Sequence, residues 1–183
     1  MESLYAEARR YAASHACTYI YMDVQRYSDL RDDVPIASVS LGYTTVTLFP
    51  ASELKDAQVG YSVSDSGEPF TREEEGDWKQ SWLVIGYEDL CGDPIFVDLT
   101  KPEFPVFTAA HGEGAWNPEM IASSFQGFIQ ALQEVNRLSQ GRDNPVKLER
   151  NPISAVERER VLSRIAELSE NASLEFWENW IAV

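Results

Sequence analysis

Ser81–Leu99 reads SWLVIGYEDLCGDPIFVDL, and the fold turns on this stretch. Its first part, SWLVIG (81–86), is continuously apolar over a strand's length instead of alternating, which predicts a central strand covered on both faces. DLCGDP (89–94) supplies the Asp, Gly and Pro residues of a turn, and Ile95–Leu99 is apolar again. The two segments are expected to pair as an antiparallel hairpin across a loop of several residues. Downstream, PVFTA (105–109) is the next strand. Upstream, SVSLGYTTVTLF (38–49) places Val39, Leu41, Tyr43, Thr45, Thr47 and Phe49 on one parity, with smaller and polar residues between. It reads as a strand or strand pair with a bulge or tight turn at Gly42, ended by Pro50. Ser52 to Leu54 suggests one helical turn, Val59–Val63 a short strand, and SDSGEPFTREEEGDWK (64–79) a charged connection rich in turn residues.

Helical patterns lie at both ends of this run of strands. Residues 3–15 carry Leu4, Ala8, Tyr11 and Ala12 at helical spacing, followed by a candidate strand at Thr18–Val24. Asn117-Pro118-Glu119 has the form of a helix start, and Ile121, Phe125, Phe128, Ile129, Leu132 and Val135 continue it as an apolar stripe to about Gly141. RDNPVKLERNP (142–152), with two Asn-Pro steps, reads as a linker. Ser154 and Glu157 form a capping box for a helix to about Leu168, and Asn171 or Ser173 caps a last helix with Leu174, Phe176, Trp177, Trp180 and Ile181. Strands joined by short connections, with helices before and after, predict an α+β domain over residues 1–141 with a largely antiparallel sheet. Residues 142–183 are then a C-terminal extension of two helices. Its aromatic end must be buried on the domain or in a homodimer.

Among the 183 residues, 15 basic side chains stand against 30 acidic ones, so the chain repels phosphate backbones and anionic bilayers. Neither nucleic acid nor membrane is an expected partner; a basic protein is. The excess is local: Asp65–Asp98 holds ten acids and two bases, whereas 142–183 holds eight and six. Two cysteines, Cys17 and Cys91, have no metal-site or disulfide-framework spacing. The start of the chain has no secretory pattern, and the longest charge-free stretch, the 19 residues Val34–Ser52, alternates as strands do. A cytoplasmic protein with free thiols is expected.

The chain has no GxSxG, HExxH, P-loop or GxGxxG motif. His111-Gly112-Glu113 lies in a loop, where a hydrolase could place catalytic groups, but a loop histidine satisfied by local backbone is the plainer reading. Asp89 and Asp93 flank a glycine and could be weighed as ligands of a hard cation, yet a turn needs Asp and Gly for backbone reasons alone. Cys91 sits among Glu88, Asp89 and Asp93, which disfavour a thiolate. Neither metal, cofactor nor catalytic residue is assigned. The acidic run Glu73-Glu74-Glu75-Gly-Asp77, with Glu88 and Asp89 and the loop tryptophans Trp78 and Trp116, is the candidate partner-binding set: acids steer encounter, and desolvated aromatics supply affinity.

WLVIGYEDLCGDPIFVD (82–98), FPVF (104–107), HGEGAW (111–116) and IASSFQGFIQAL (121–132) together resemble the SUKH superfamily, which includes the Smi/Knr-type cell-wall assembly regulators and many bacterial immunity proteins. The resemblance implies a curved, mostly antiparallel sheet flanked by helices and no catalytic residues. It implies structural roles for Gly86 and Gly92 in backbone turns, Pro94 and Pro105 at the starts of strands, and Phe125 and Phe128 on the helix face. The function it implies is non-enzymatic: an immunity protein that binds and neutralises a cognate toxin in a toxin–antitoxin or polymorphic toxin system. The alternative is a regulatory or scaffold protein with an intracellular client.

Overall fold

The computed structural model describes residues 24–72, 74–112 and 114–182. The expected helix at 3–15 lies outside them. So does the strand at 18–24 except for Val24, which is helical. The described chain opens in a helix, α1 (residues 24–32), where the sequence is polar and ambiguous. Six strands come next: β1 (Ser38–Leu41), β2 (Thr44–Leu48), β3 (Trp82–Glu88), β4 (Pro94–Asp98), β5 (Val106–Thr108) and β6 (Glu119–Ala122). Each pairs antiparallel with the next, so spatial order equals chain order, and the sheet curls into a half-barrel. Four helices complete the α+β fold: α2 (Phe125–Leu138), α3 (Pro145–Arg150), α4 (Ala155–Leu168) and α5 (Glu175–Ile181).

The stretch 38–49 is a tight hairpin. Leu41 pairs with Thr44 across a two-residue turn in which Gly42 has φ +71° and Tyr43 does not share the left-handed conformation. Glycine first in a two-residue hairpin turn matches the twist of the flanking strands. The turn also shifts the burial phase: Val39 and Leu41 face the core in β1, but Val46 and Leu48 do so in β2. The single parity read from the sequence therefore holds only for β1. Leu148 of α3 lies over the turn, where a Cβ at position 42 would collide with it.

β3 pairs with β4 as the central hairpin, and its two sides face different cores: Ile85 joins the helix-covered cluster and Val84 the opposite one. Val84 opposes Phe96 and Gly86 opposes Ile95, so Ile85 is an extra residue that bends the strand. Gly86 serves no turn. It lies in mid-strand, so close to β2 that a Cβ would strike the Thr47 carbonyl oxygen. Gly92, at φ +81°, does make the β3–β4 turn.

Three further expectations are corrected. Val59–Val63 is a looped segment after two 3-10 turns (Ala51–Glu53 and Asp56–Gln58), with only isolated bridges. Its docking is done by a side chain: Gln58 accepts from Val84 N at 3.0 Å and donates to Val84 O at 2.9 Å and Leu54 O at 2.8 Å. β2 reaches along β3 only from Gly86 to Glu88, and the Gln58 amide satisfies the backbone groups that β2 leaves unpaired. Second, Asn117-Pro118 starts no helix. Residues 119–122 are β6, paired to β5, and α2 begins after Ser124, whose hydroxyl accepts from Gly127 N at 3.0 Å. Ile121 happens to fall in phase with the helical stripe, which hides the boundary. Third, the supposed linker contains α3, with Asn144 accepting from Lys147 N at 2.9 Å and Pro145 at the first helical position. Residues 142–182 thus hold three helices, not two.

The capping box of α4 forms as expected, with Ser154 and Glu157 satisfying each other's backbone N–H. Arg142, buried, donates to the carbonyls of Leu138 and Asn151 and to Glu157, tying the ends of α2, α3 and α4 together. Ser173, though not the formal cap of α5, accepts from Glu175 N at 3.2 Å. Trp177, Trp180 and Ile181 are buried in the same cluster as Leu48, Ile85, Phe128 and Leu132. Trp177 donates to Ile121 O at 2.8 Å and Trp180 to Thr44 O at 3.2 Å, so α5 is held on β6 and β2.

The other face of the sheet carries a smaller cluster. Trp78, Val84, Phe96 and Ala109 are buried there, with Tyr61, Trp82, Phe107 and Trp116 packed around them. Trp78 makes edge contacts with Trp82 and Trp116, and its N–H donates to Trp82 O. Among the described residues, no helix is long and apolar enough to cross a membrane.

Candidate functional site: an acidic loop face and its cavity

Three loops carry the candidate residues, and hydrogen bonds join them. In the β3–β4 turn, the Glu88 carboxylate accepts from Leu90 N (2.9 Å), Cys91 N (2.8 Å) and Asp93 N (3.1 Å). Glu88 is itself buried, so its charge works on the turn's own amides. Asp89 accepts from Thr45 N at 2.6 Å while its own N–H donates to Thr45 O, which carries the β2–β3 ladder into the turn. Leu90 stands at the tip, 66% exposed.

The second loop, 110–118, is fastened to this turn through Asp93. Its Oδ1 accepts from His111 N at 2.9 Å and meets His111 Nδ1 at 2.8 Å. The third, the acidic 74–78 segment, is fastened to the second: Trp116 N donates to Gly76 O at 2.8 Å, and a Cβ on Gly76 would press into Ala115. Glu74 and Glu75 are exposed on this segment. Asp77 is half-buried; its Oδ2 is shut off from solvent and accepts no hydrogen bond among the described residues.

Of the sequence candidates, Glu74, Glu75 and Asp89 lie on the surface, and Trp116 is half-buried at its edge. Trp78, named with Trp116 as a partner-contacting loop aromatic, is instead a core tryptophan, buried at the centre of the aromatic cluster. Glu88 is likewise taken up by the structure. Glu73 and Glu113 lie outside the described residues, and the partner seen for His111 is Asp93.

Behind the β3–β4 turn lies a cavity of about 380 Å³ that the sequence did not reveal. Glu88, Asp93, Glu119 and Glu175 contribute to its wall, together with Phe176 and Trp180 of α5. It exists because α5 docks beside the hairpin, a contact separated by more than 80 positions along the chain. Glu88, Cys91 and Asp93 offer metal-ligand atoms within 4.8 Å of one another. Three N–H donors already occupy Glu88, however. The exposed Cys91 thiol is pushed up from its ordinary value by the Glu88 charge, then by partial burial and Asp93, so it holds its proton where a ligand would have to shed it. This group acts first as a turn.

Compared with protein-family models, with curated proteins and with solved structures, the chain matches none.

Proposed function

We propose that the chain is a non-enzymatic, cytoplasmic protein-binding module of the immunity type, whose acidic loop face captures a basic partner, a toxin domain in the first instance. The observation that carries this reading is the joining of the 74–78, 88–93 and 110–118 loops into one surface by Trp116–Gly76 and Asp93–His111 hydrogen bonds. The surface exposes Glu74 and Glu75 on the first of these loops, and Asp89 with the apolar tip Leu90 on the second. Exposed acids steer a basic protein, and an exposed apolar residue on the same surface can then hold it. The SUKH resemblance of residues 82–132 supports the same reading.

The test is kinetic. Association with a basic toxin domain encoded beside this chain should slow steeply from low to moderate ionic strength, and neutralising Glu74 and Glu75 should lower the on-rate while leaving the off-rate nearly unchanged. A salt-independent on-rate removes electrostatic capture. The regulatory-scaffold alternative keeps the same surface but a different client; absence of a toxin gene beside this one favours it. The homodimer alternative loses its motive in α5, whose Trp177, Trp180 and Ile181 are buried within the chain. A hydrolase built on His111 and Glu113 is tested by a substrate panel with and without divalent cations.

A further inference from the structure

We propose that the β3–β4 turn is a preformed wedge whose tip, Leu90, enters an apolar pocket with a basic rim on the bound protein. The inference rests on the protein-binding reading above and names the loop that anchors the contact. Residues 89–92 are all exposed, with Leu90 at the tip. Single apolar residues on a surface need no explanation, and Val146 on α3 and Val156 on α4 are of that kind. Leu90 differs in its support. Every backbone N–H from Glu88 to Asp93 has an acceptor within the chain: Asp93 O for Glu88, Thr45 O for Asp89, the Glu88 carboxylate for Leu90, Cys91 and Asp93, and Glu88 O for Gly92. The free protein has therefore already ordered this loop, and binding loses little further freedom there.

The same bonds decide what the tip offers. No N–H of the turn is left to donate, so recognition falls to side chains. Glu88 is turned onto three amides and Asp93 is joined to His111, which leaves Asp89 as the exposed acid of the turn. Its Oδ1 accepts from Thr45 N, and its Oδ2 has no partner among the described residues. The Cys91 thiol, pushed up from its ordinary value by the Glu88 charge, adds an uncharged neighbour. A fixed apolar side chain beside one free carboxylate oxygen is complementary to a hydrophobic pocket edged by Lys or Arg. A second copy of this chain is disfavoured, because 30 acidic side chains against 15 basic ones set like charge against like.

The experiment uses the intact protein and the basic toxin domain encoded beside it, the probe of the kinetic test above. Leu90→Ala should raise the off-rate about tenfold or more and change the on-rate less than about twofold. Glu88→Gln, which weakens the hold on three amides, should weaken binding severalfold in the parent chain and not at all in Leu90→Ala. Equal weakening in both backgrounds overturns the preformed wedge, because a role confined to overall stability acts on both alike. A photoreactive diazirine side chain in place of Leu90 should cross-link to the domain, and one in place of Val156 should not. Binding that Leu90→Ala leaves unchanged, or an adduct from position 156 alone, overturns the insertion and leaves the acidic face standing. No binding by the parent chain overturns the protein-binding reading and the wedge together. Self-association of the chain alone that Leu90→Ala abolishes assigns the tip to a second copy and overturns the proposal.

Discussion

One face of the sheet is closed by helices and the other by irregular chain, and the two are built from different material. On the helix side, α1, α2, α4 and α5 lay Tyr27, Phe128, Leu132, Val161, Ile165 and Trp177 over Leu41, Leu48, Ile85 and Ile95. Helix caps and backbone ladders satisfy the backbone groups there, although the buried Tyr27 hydroxyl finds no partner among the described residues. On the loop side, a non-repetitive segment covers the sheet with aromatic rings, Tyr61, Trp78 and Trp116 against Trp82, Phe96 and Phe107, and one glutamine amide, Gln58, replaces a missing stretch of ladder. Periodic backbone can bury aliphatic stripes. Irregular backbone has no stripe and must reach its core with large rings and single polar contacts. The two faces should therefore fail differently.

The largest effect is expected on the helix side. Trp177→Ala removes a fully buried indole and its bond to Ile121 O, and should cost about 4–5 kcal/mol, read as a lowered urea midpoint of one cooperative transition. Gln58→Ala leaves Val84 N and O without partners and should cost about 2–3 kcal/mol. Its signature is local: amide exchange at Val84 should accelerate while that of Ile129 and Leu132 stays slow. Equal acceleration everywhere would show that the faces are one unit. Trp116→Ala trims the half-buried rim of the aromatic cluster and should cost about 1–2 kcal/mol of stability.

A pH prediction isolates the helix face. Glu157 is held down to about 2 by the Ser154 backbone N–H, then by the Ser154 hydroxyl and Arg142. A depressed folded value means its contribution is complete above the ordinary value of 4.5 and fades as pH falls from there toward 2. The melting-temperature gap between the protein and Glu157→Gln should close over that interval; a constant gap would exclude the carboxylate as its source. The smallest effect belongs to the exposed acids: Glu74→Gln with Glu75→Gln should shift stability by no more than about 0.5 kcal/mol while slowing capture of a basic partner.

The same contrast explains how far the residues alone reach. SWLVIG, PIFVD, the α2 stripe and the Ser154–Glu157 box are local patterns, and they appear as strands, helix face and cap. The Asn-Pro steps mislead in opposite directions, because an Asn caps only where the residues after it turn into a helix: Lys147 N meets Asn144, whereas residues 119–122 are drawn into the sheet. Trp78 defies its local context because loop composition reports backbone freedom and says nothing of a cluster made with Tyr61, Phe96 and Trp116. The cavity is invisible in sequence for the same reason: Glu175 and Trp180 reach Glu88 only through the docking of α5, and Glu119 only through the pairing of β6 with β5.

The Gln58 plug also bears on how this protein avoids its own kind. Beside Val84 the sheet has a gap within its interior, a short edge where a foreign strand could insert and extend the ladder. Gln58 occupies the donor and acceptor that such an invader would use, so its loss should appear on warming as self-association through strand exchange, before any loss of helix.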